Sequence, residues 1–361
     1  MSTQAPRFLA LLTVKNEASF LLDWLAHHRA AGVTDVLAVS NDCSDGTDAM
    51  LDRLAALGWL VHLRNPGPHP QGPQWSALKL AERHPLLQAA DWVMTLDIDE
   101  FLNIHVGDRS LAALIAARPE ADALALSWRM FGNCGVVDYV DHPLPAQFLR
   151  AAPAEMLWPW RAQMIKTLWR NDGTWAKPGV HRPRAPDPAR LAAQRWVDGS
   201  GRKLPDLYRN GRLFAPLGQN NWGLAQINHY PLGSMQGYVV KCDRGRANRD
   251  AAAFDMSYWV ERNFCTDDDA SILALAPAAA RWRGELAADN ELAALHRKAV
   301  DWRAGRFAAL MLEEQFRALF GRLQLAPPSQ PLSAEAAARM LGWGRRGTEA
   351  EAATMARRRR D

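Results

Sequence analysis

Three apolar runs, each cut off by a dense polar cluster, set the tightest limit on what this chain can fold into. Phe8–Val14 reads FLALLTV and stops at Lys15-Asn16-Glu17. Residues 36–39 stop at Ser40-Asn41-Asp42-Cys43-Ser44-Asp45-Gly46-Thr47, and Trp92–Leu96 stops at Asp97-Ile98-Asp99-Glu100. Short continuous apolar runs of this kind predict strands covered on both faces, as in a parallel sheet. Between the first two, Phe20, Leu21, Trp24, Leu25 and His28 recur at helical spacing, with Asn16 placed to cap the helix and Gly32 to end it. His28 falls on the inner face and His27 on the surface. Met50, Leu51, Leu54 and Leu57 mark a second helix, capped by Ser44 or Asp45 and closed by Gly58, and residues 59–63 form a third strand. This β-α-β-α-β order predicts parallel pairing with right-handed crossovers. Ligands in such sheets bind outside the carboxyl ends of the strands, where all three polar clusters lie.

The last cluster is the most informative. Asp97 and Asp99 are two residues apart, so an extended chain sends both side chains the same way. Two converging carboxylates make a hard oxygen site suited to Mg²⁺ or Mn²⁺ carrying a phosphate. The rival reading is a solvated turn after a strand.

Further along, residues 75–89 read as a helix with Lys79 near its crevice end. A short helix carries Leu111, Leu114 and Ile115, and residues 123–128 and 163–170 read as strands. Residues 131–159 suggest an acceptor-side loop region, and 184–212 a mobile excursion. A strand at 224–227 enters Asn228-His229-Tyr230-Pro231, and residues 235–248 place Lys241, Arg244 and Arg246 at helical spacing. The best later helix covers 302–320, and Pro327-Pro328 opens a weakly ordered tail. The expected division is 1–250 as the α/β domain (1–128 nucleotide-binding, 129–250 acceptor-binding), 251–326 as a helical extension and 327–361 as the tail.

Hydrophobic residues make up 48% of the 361, enough for a large core. The net charge of +4 gives no case for nucleic acid. The run Arg357 to Arg360 reads as a solvated tail or a grip on acidic lipid, a peripheral membrane contact. Cys43, Cys134, Cys242 and Cys265 show no C-x-x-C spacing and read as reduced thiols. With no apolar segment of signal or membrane-spanning length, the expectation is a cytoplasmic protein.

The series Val14-Lys15-Asn16-Glu17, Asn41-to-Thr47, Leu96-Asp97-Ile98-Asp99-Glu100-Phe101 and Ile227-Asn228-His229-Tyr230 resembles bacterial family 2-like glycosyltransferases of the "N-E … D-x-D-E-F" group, over roughly residues 7 to 250. That resemblance implies a GT-A fold, an α/β fold with a mainly parallel central sheet, here with a C-terminal helical extension. It implies a nucleotide-diphosphate sugar donor, a UDP-sugar, and a polysaccharide, glycan or lipid-linked acceptor, with inverting transfer and Mn²⁺ or Mg²⁺ as cofactor. By position, Asn41, Asp42 and Asp45 contact base and ribose, with Glu17 beside them and Lys79 nearby. Asp97 and Asp99 belong to the metal–diphosphate site, His229 is a further metal ligand, and Lys241 and Arg244 fall where diphosphate contacts are useful. The sequence departs from the family 2 pattern in the second cluster, where Asn41-Asp42-Cys43-Ser44 replaces two adjacent acids followed by glycine and serine.

The chemistry agrees with these types. Negative charge grows on a departing diphosphate, and a metal with placed cations such as Lys241, Arg244 or Lys166 offsets it. The acceptor hydroxyl needs a carboxylate base. Glu100 is one candidate, and Asp138, Asp141 and Glu155 are others. Each assignment has a plain rival: Glu17 as a helix-dipole partner, Asp45 as a cap, His229 as a core histidine, Lys241 and Arg244 as a solvated face. Trp158, Trp160 and Trp175 have the flat apolar faces that suit stacking on sugars. A nucleotidyltransferase or sugar-phosphate pyrophosphorylase is an alternative, disfavoured because no glycine follows the first strand. A non-catalytic nucleotide-sugar-binding module is another, disfavoured by the intact acid pair.

Overall fold

The computed structural model describes residues 5–70, 72–245 and 255–358. Its centre is a nine-stranded mixed sheet. We label the strands β1 (Phe8–Val14), β2 (Asp35–Ser40), β3 (Val61–Arg64), β4 (Trp92–Leu96), β5 (Glu100–Ile104), β6 (Ala123–Met130), β7 (Ile165–Arg170), β8 (Trp196–Asp198) and β9 (Ala225–His229). The order is β3-β2-β1-β4-β7-β6-β9-β5, with β8 on β6. The pairings β2–β3, β1–β2, β1–β4, β6–β8 and β6–β9 are parallel. Those of β7 with β4 and β6, and of β5 with β9, are antiparallel. This mostly parallel α/β sheet with a helical C-terminal region is the expected GT-A class of architecture.

All seven residues of β1 are buried, as a doubly covered strand requires. Its alternate residues feed two cores. Phe8, Ala10, Leu12 and Val14 pack on one side with helices α1 (Leu21–Ala30) and α2 (Thr47–Ala56). Leu9 and Leu11 pack on the other with Leu78 of α3 (Pro73–Ala81) and with Trp175. The expected helix over 75–89 is split: α3 ends at Ala81, and Pro85, which cannot donate to the preceding turn, opens a separate α4 (Pro85–Ala89). Leu111–Ala116 forms α5, and Met235–Arg244 forms α6.

The C-terminal helices are α7 (Ala276–Ala287), α8 (Asn290–Leu310), α9 (Glu314–Leu325) and α10 (Ala334–Arg358). The expected helix over 302–320 is therefore two, separated at residues 311–313. The expected tail contains a 25-residue helix instead. Leu286, Leu292 and Ala299 join the same core as β1, and Arg283 pairs with Asp23 of α1 at 2.7 Å. Residues 184–212, expected as an excursion, contribute β8 to the sheet.

Three further expectations change. His27 is buried like His28, its Nε2 2.7 Å from the Leu102 carbonyl oxygen. Asn16 caps no helix: it adopts φ 52°, a conformation Asn tolerates, and accepts a hydrogen bond from the Ser44 amide at 2.7 Å. Cys134 and Cys265 form a disulfide, so the argument from four reduced thiols holds only for Cys43 and Cys242. Among the described residues, no helix is long and apolar enough to cross a membrane.

Candidate active site

The carboxyl ends of β1, β2 and β4 do converge. Asn41, wholly buried, donates from Nδ2 to the Val14 carbonyl at 3.1 Å and accepts from Asn65 Nδ2 at 2.6 Å. It ties three strand ends together. Asp45 is also turned inward. Its oxygens accept from the Ala18 amide at 2.9 Å and from the Thr47 amide and hydroxyl at 2.9 and 2.6 Å. Gly46 provides the N-terminal boundary of α2 at φ 92°, a backbone shape that favours glycine. Both residues thus build the loop, and the plain reading of Asp45 describes its contacts. Asp42 differs: its side chain is half exposed and only its edge is held, by the Gly67 amide at 3.0 Å and His69 at 3.3 Å. Of that loop's acids, Asp42 is the one open to a ligand.

The acid cluster is not an extended strand. Residues 97–99 turn between β4 and β5, closed by the Glu100 amide donating to the Asp97 carbonyl at 3.1 Å. The alternation argument for a shared direction therefore fails, and each acid has its own lysine. Asp97 Oδ2 lies 3.0 Å from Lys166 Nζ, and its Oδ1 accepts from Gln74 Nε2 at 3.3 Å. Asp99 Oδ2 lies 2.7 Å from Lys241 Nζ, and its Oδ1 is 3.7 Å from His229 Nε2.

Glu100 begins β5 opposite His229 in the antiparallel ladder and is fully buried. Oε1 accepts from Trp128 Nε1 at 2.7 Å; Oε2 accepts from the Asp97 amide at 2.8 Å and lies 3.0 Å from Lys166 Nζ. Burial raises its carboxyl above the ordinary range, against the pull of Lys166. With no exposed surface and both oxygens engaged, it is placed to anchor Lys166 and Trp128 and not to meet an acceptor hydroxyl. Of the other proposed bases, Asp141 is 3.0 Å from His296 and Asp138 accepts from Gln236 at 2.8 Å.

The cations come from α6. Ser234 caps this helix by accepting from the Gly237 amide at 3.1 Å, and its last residue, Arg244, reaches the end of β1. Lys241 and Arg244 are three apart and share a face. Arg244 Nη1 donates to the Lys15 carbonyl at 2.7 Å and pairs with Glu17. Burial raises the Glu17 carboxyl, opposed by Arg244 and Lys241. Burial alone would raise Asp99 too, but Lys241 and His229 outweigh it and hold that carboxyl well below its usual range. Burial lowers the His229 imidazole, against the pull of Asp99. Arg246 lies outside the described residues.

Lys79 is exposed on the last turn of α3, at the end away from Asp97; Gln74, in the first turn, makes the contact expected there. A second residue missed by sequence reasoning is Arg303 of α8. It is buried, donates from Nη2 to the Gly237 carbonyl at 3.1 Å and lies over the rings of Phe20 and Tyr139 at 4.7 and 5.1 Å. Glu17, Asp99, Lys241, Arg244, Arg303 and Tyr139 line one cleft of about 590 Å³, part of it open to solvent. Among the described residues no group of three or more His, Cys, Asp or Glu side chains is arranged to hold a metal.

The sequence profile of glycosyltransferase family 92 matches residues 11–185. No curated protein matches the chain. Among solved structures, S. aureus TarS 1–349 overlaps at 15% identity, covering 46% of this chain and 47% of that one, with a TM-score of 0.29. The same protein in complex with UDP overlaps at 16% identity, 46% and 47% coverage and a TM-score of 0.28. Glucosyl-3-phosphoglycerate synthase from Mycobacterium tuberculosis, in complex with Mn²⁺, UDP and glucosyl-3-phosphoglycerate, overlaps at 15% identity, 47% and 58% coverage and a TM-score of 0.27. The matched region spans about half the length of each of these chains. Overlaps this low give no residue of this chain a role. The family whose profile is matched is thus number 92 rather than the family 2-like group that the motifs resemble, and the match supports a glycosyltransferase.

Proposed function

We propose that this chain is a metal-assisted glycosyltransferase that moves a sugar from a UDP-sugar to a glycan or lipid-linked acceptor, with inversion. The observation that carries this reading is the meeting of Asp99, Lys241 and Arg244 in one cleft at the carboxyl end of the sheet, with His229 3.7 Å from Asp99 behind them. Acids and cations held together there suit a ligand that is itself a cation–anion pair, a divalent metal on a diphosphate.

Asp99 and His229 fit such a metal. One offers a carboxylate oxygen held ionised, the other a neutral imidazole nitrogen, and both suit Mn²⁺. Few protein ligands are needed, because Mg²⁺ and its kind commonly use one or two carboxylates together with substrate phosphates. When bound, the metal offsets charge on the diphosphate. Lys241 and Arg244, released from Asp99 and Glu17, turn the same way and stabilise the departing oxygens. Asp42, half exposed in the loop after β2, is the residue taken to read the base or ribose. Lys166 and Glu100 hold Asp97 in place from below. The chain acts in the cytoplasm and touches acidic lipid through the run Arg357 to Arg360, of which Arg359 and Arg360 lie outside the described residues.

The test is a thermal-shift screen of nucleotide sugars with and without Mn²⁺, followed by release of free UDP for the best donor. Metal-dependent stabilisation by a UDP-sugar with turnover supports the reading. Stabilisation without any turnover favours a binding module, and full donor affinity in excess chelator removes the metal from it.

A further inference from the structure

A second cleft, about 920 Å³ and partly open to solvent, shares no lining residue with the first. Its wall includes Trp75, His181, Arg182, Arg184 and Arg209, and no acidic side chain. Three guanidinium groups in one recess without a carboxylate in its lining give it a positive potential that favours an anionic visitor. Arg209 has an acid outside the cleft, Asp206 at 2.7 Å. Among the described residues, Arg182 and Arg184 pair with none.

What those two touch is backbone and aromatic faces. Arg184 donates from Nε to the Pro178 carbonyl at 3.1 Å and lies over the Trp75 ring at 4.6 Å. Arg182 donates from Nη2 to the Arg209 carbonyl at 2.7 Å and lies between the rings of Trp175 and Trp196 at 5.3 and 5.4 Å. Its buried Nε has no partner. Stacking fixes each guanidinium plane while leaving donors on its edge, the arrangement that reads carboxylate or phosphate in pairs.

The cleft is also tied to the candidate active site. Trp75 follows Gln74, which contacts Asp97. His181 rests its Nδ1 3.0 Å from the carbonyl oxygen of Ile165, the residue before Lys166, which also contacts Asp97. Trp75, the chain neighbour of one Asp97 partner, and His181, in contact with the chain neighbour of the other, therefore both line the cleft.

We propose that this cleft seats an anionic saccharide, one bearing a phosphate or a carboxylate, as the acceptor. Its being the acceptor rests on the glycosyltransferase reading; the anion site itself does not. Glucose 6-phosphate, glucuronate and glucose would be titrated into the full-length chain without donor and followed by ligand-observed NMR, in the range of ~1 mM expected for small ligands. At least one charged sugar should bind ~10-fold more tightly than glucose, and Arg184→Gln should abolish that advantage while Arg184→Lys retains part of it. The phosphate and carboxylate arms separate the two sources of charge. A thermal melt, measured in parallel, reports that each variant is folded. Equal binding of glucose and both charged sugars, or charge-dependent binding that survives both Arg184→Gln and Arg182→Gln, overturns the proposal. Intact anion binding in a chain that transfers no sugar would sink the glycosyltransferase reading and leave the site standing.

Discussion

Lys241 donates to Asp99 Oδ2 at 2.7 Å and to the Pro231 carbonyl at the same distance, so the acid best placed for a metal already has a cation on one oxygen. A divalent ion approaching Asp99 must share it with that ammonium. Lys241→Met should therefore tighten Mn²⁺ binding to the free enzyme while lowering turnover by roughly 10²-fold, because the ammonium is also lost from the leaving group. Calorimetric titration with Mn²⁺ beside steady-state turnover reads both. Weaker metal binding in the variant would show that Lys241 and the ion do not compete.

Asp97 and Asp99 should not behave alike. Asp99→Asn should lower turnover by roughly 10²–10³-fold with little change in stability. Asp97→Asn should reduce activity and also lower stability by about 1–2 kcal/mol, because Lys166 loses one of its two acids. Turnover and urea unfolding of the two variants separate these roles, and identical profiles would contradict the split.

Lys166 is fully buried with Asp97 and Glu100 both at 3.0 Å. Lys166→Met leaves two acids without their cation and should destabilise the fold by about 3–5 kcal/mol. The double variant Lys166→Met with Glu100→Gln should recover part of that loss. A single variant as stable as the parent would show that the buried acids need no cation.

Burial, only partly offset by the Leu102 carbonyl, lowers the His27 imidazole to about 4, and His28 shifts the same way. A base whose folded value is depressed takes up protons more readily when unfolded. Stability should thus fall as pH drops from about 6.5 towards 4, by up to roughly 3 kcal/mol for His27. Urea unfolding between pH 7.5 and 5.5 isolates this from the ordinary carboxylates. His27→Gln should reduce the slope by its own share, since His28, His105, His181 and His229 are lowered too, and an unchanged slope would assign it elsewhere.

Much of the sheet is legible because burial on both faces leaves a plain signal. Strands β1 and β4 coincide with the apolar runs at Phe8–Val14 and Trp92–Leu96. Strand β5 escapes that reading, because its first residue, Glu100, is a fully buried acid whose environment is built by Trp128 and Lys166 from distant segments. The same long-range partnering hides the parting of Asp97 and Asp99: two residues' spacing says nothing about a turn that opposing lysines support. Gln74 and Arg303 carry no local signature at all. A glutamine after a proline and an arginine on a late helix look like surface positions until the chain folds around them. His229 and Lys241 were readable because each sits beside a strong element boundary, a strand end and a helix end.

Arg303 reaches the first cleft from α8, more than seventy residues beyond the sheet's last strand, which ends at His229. A version of this protein cut near residue 250, where the recognisable motifs stop, would lose one wall of its own binding chamber and leave the Phe20 and Tyr139 rings bare. The late helices, for all their plain sequence, are part of that cleft's shell.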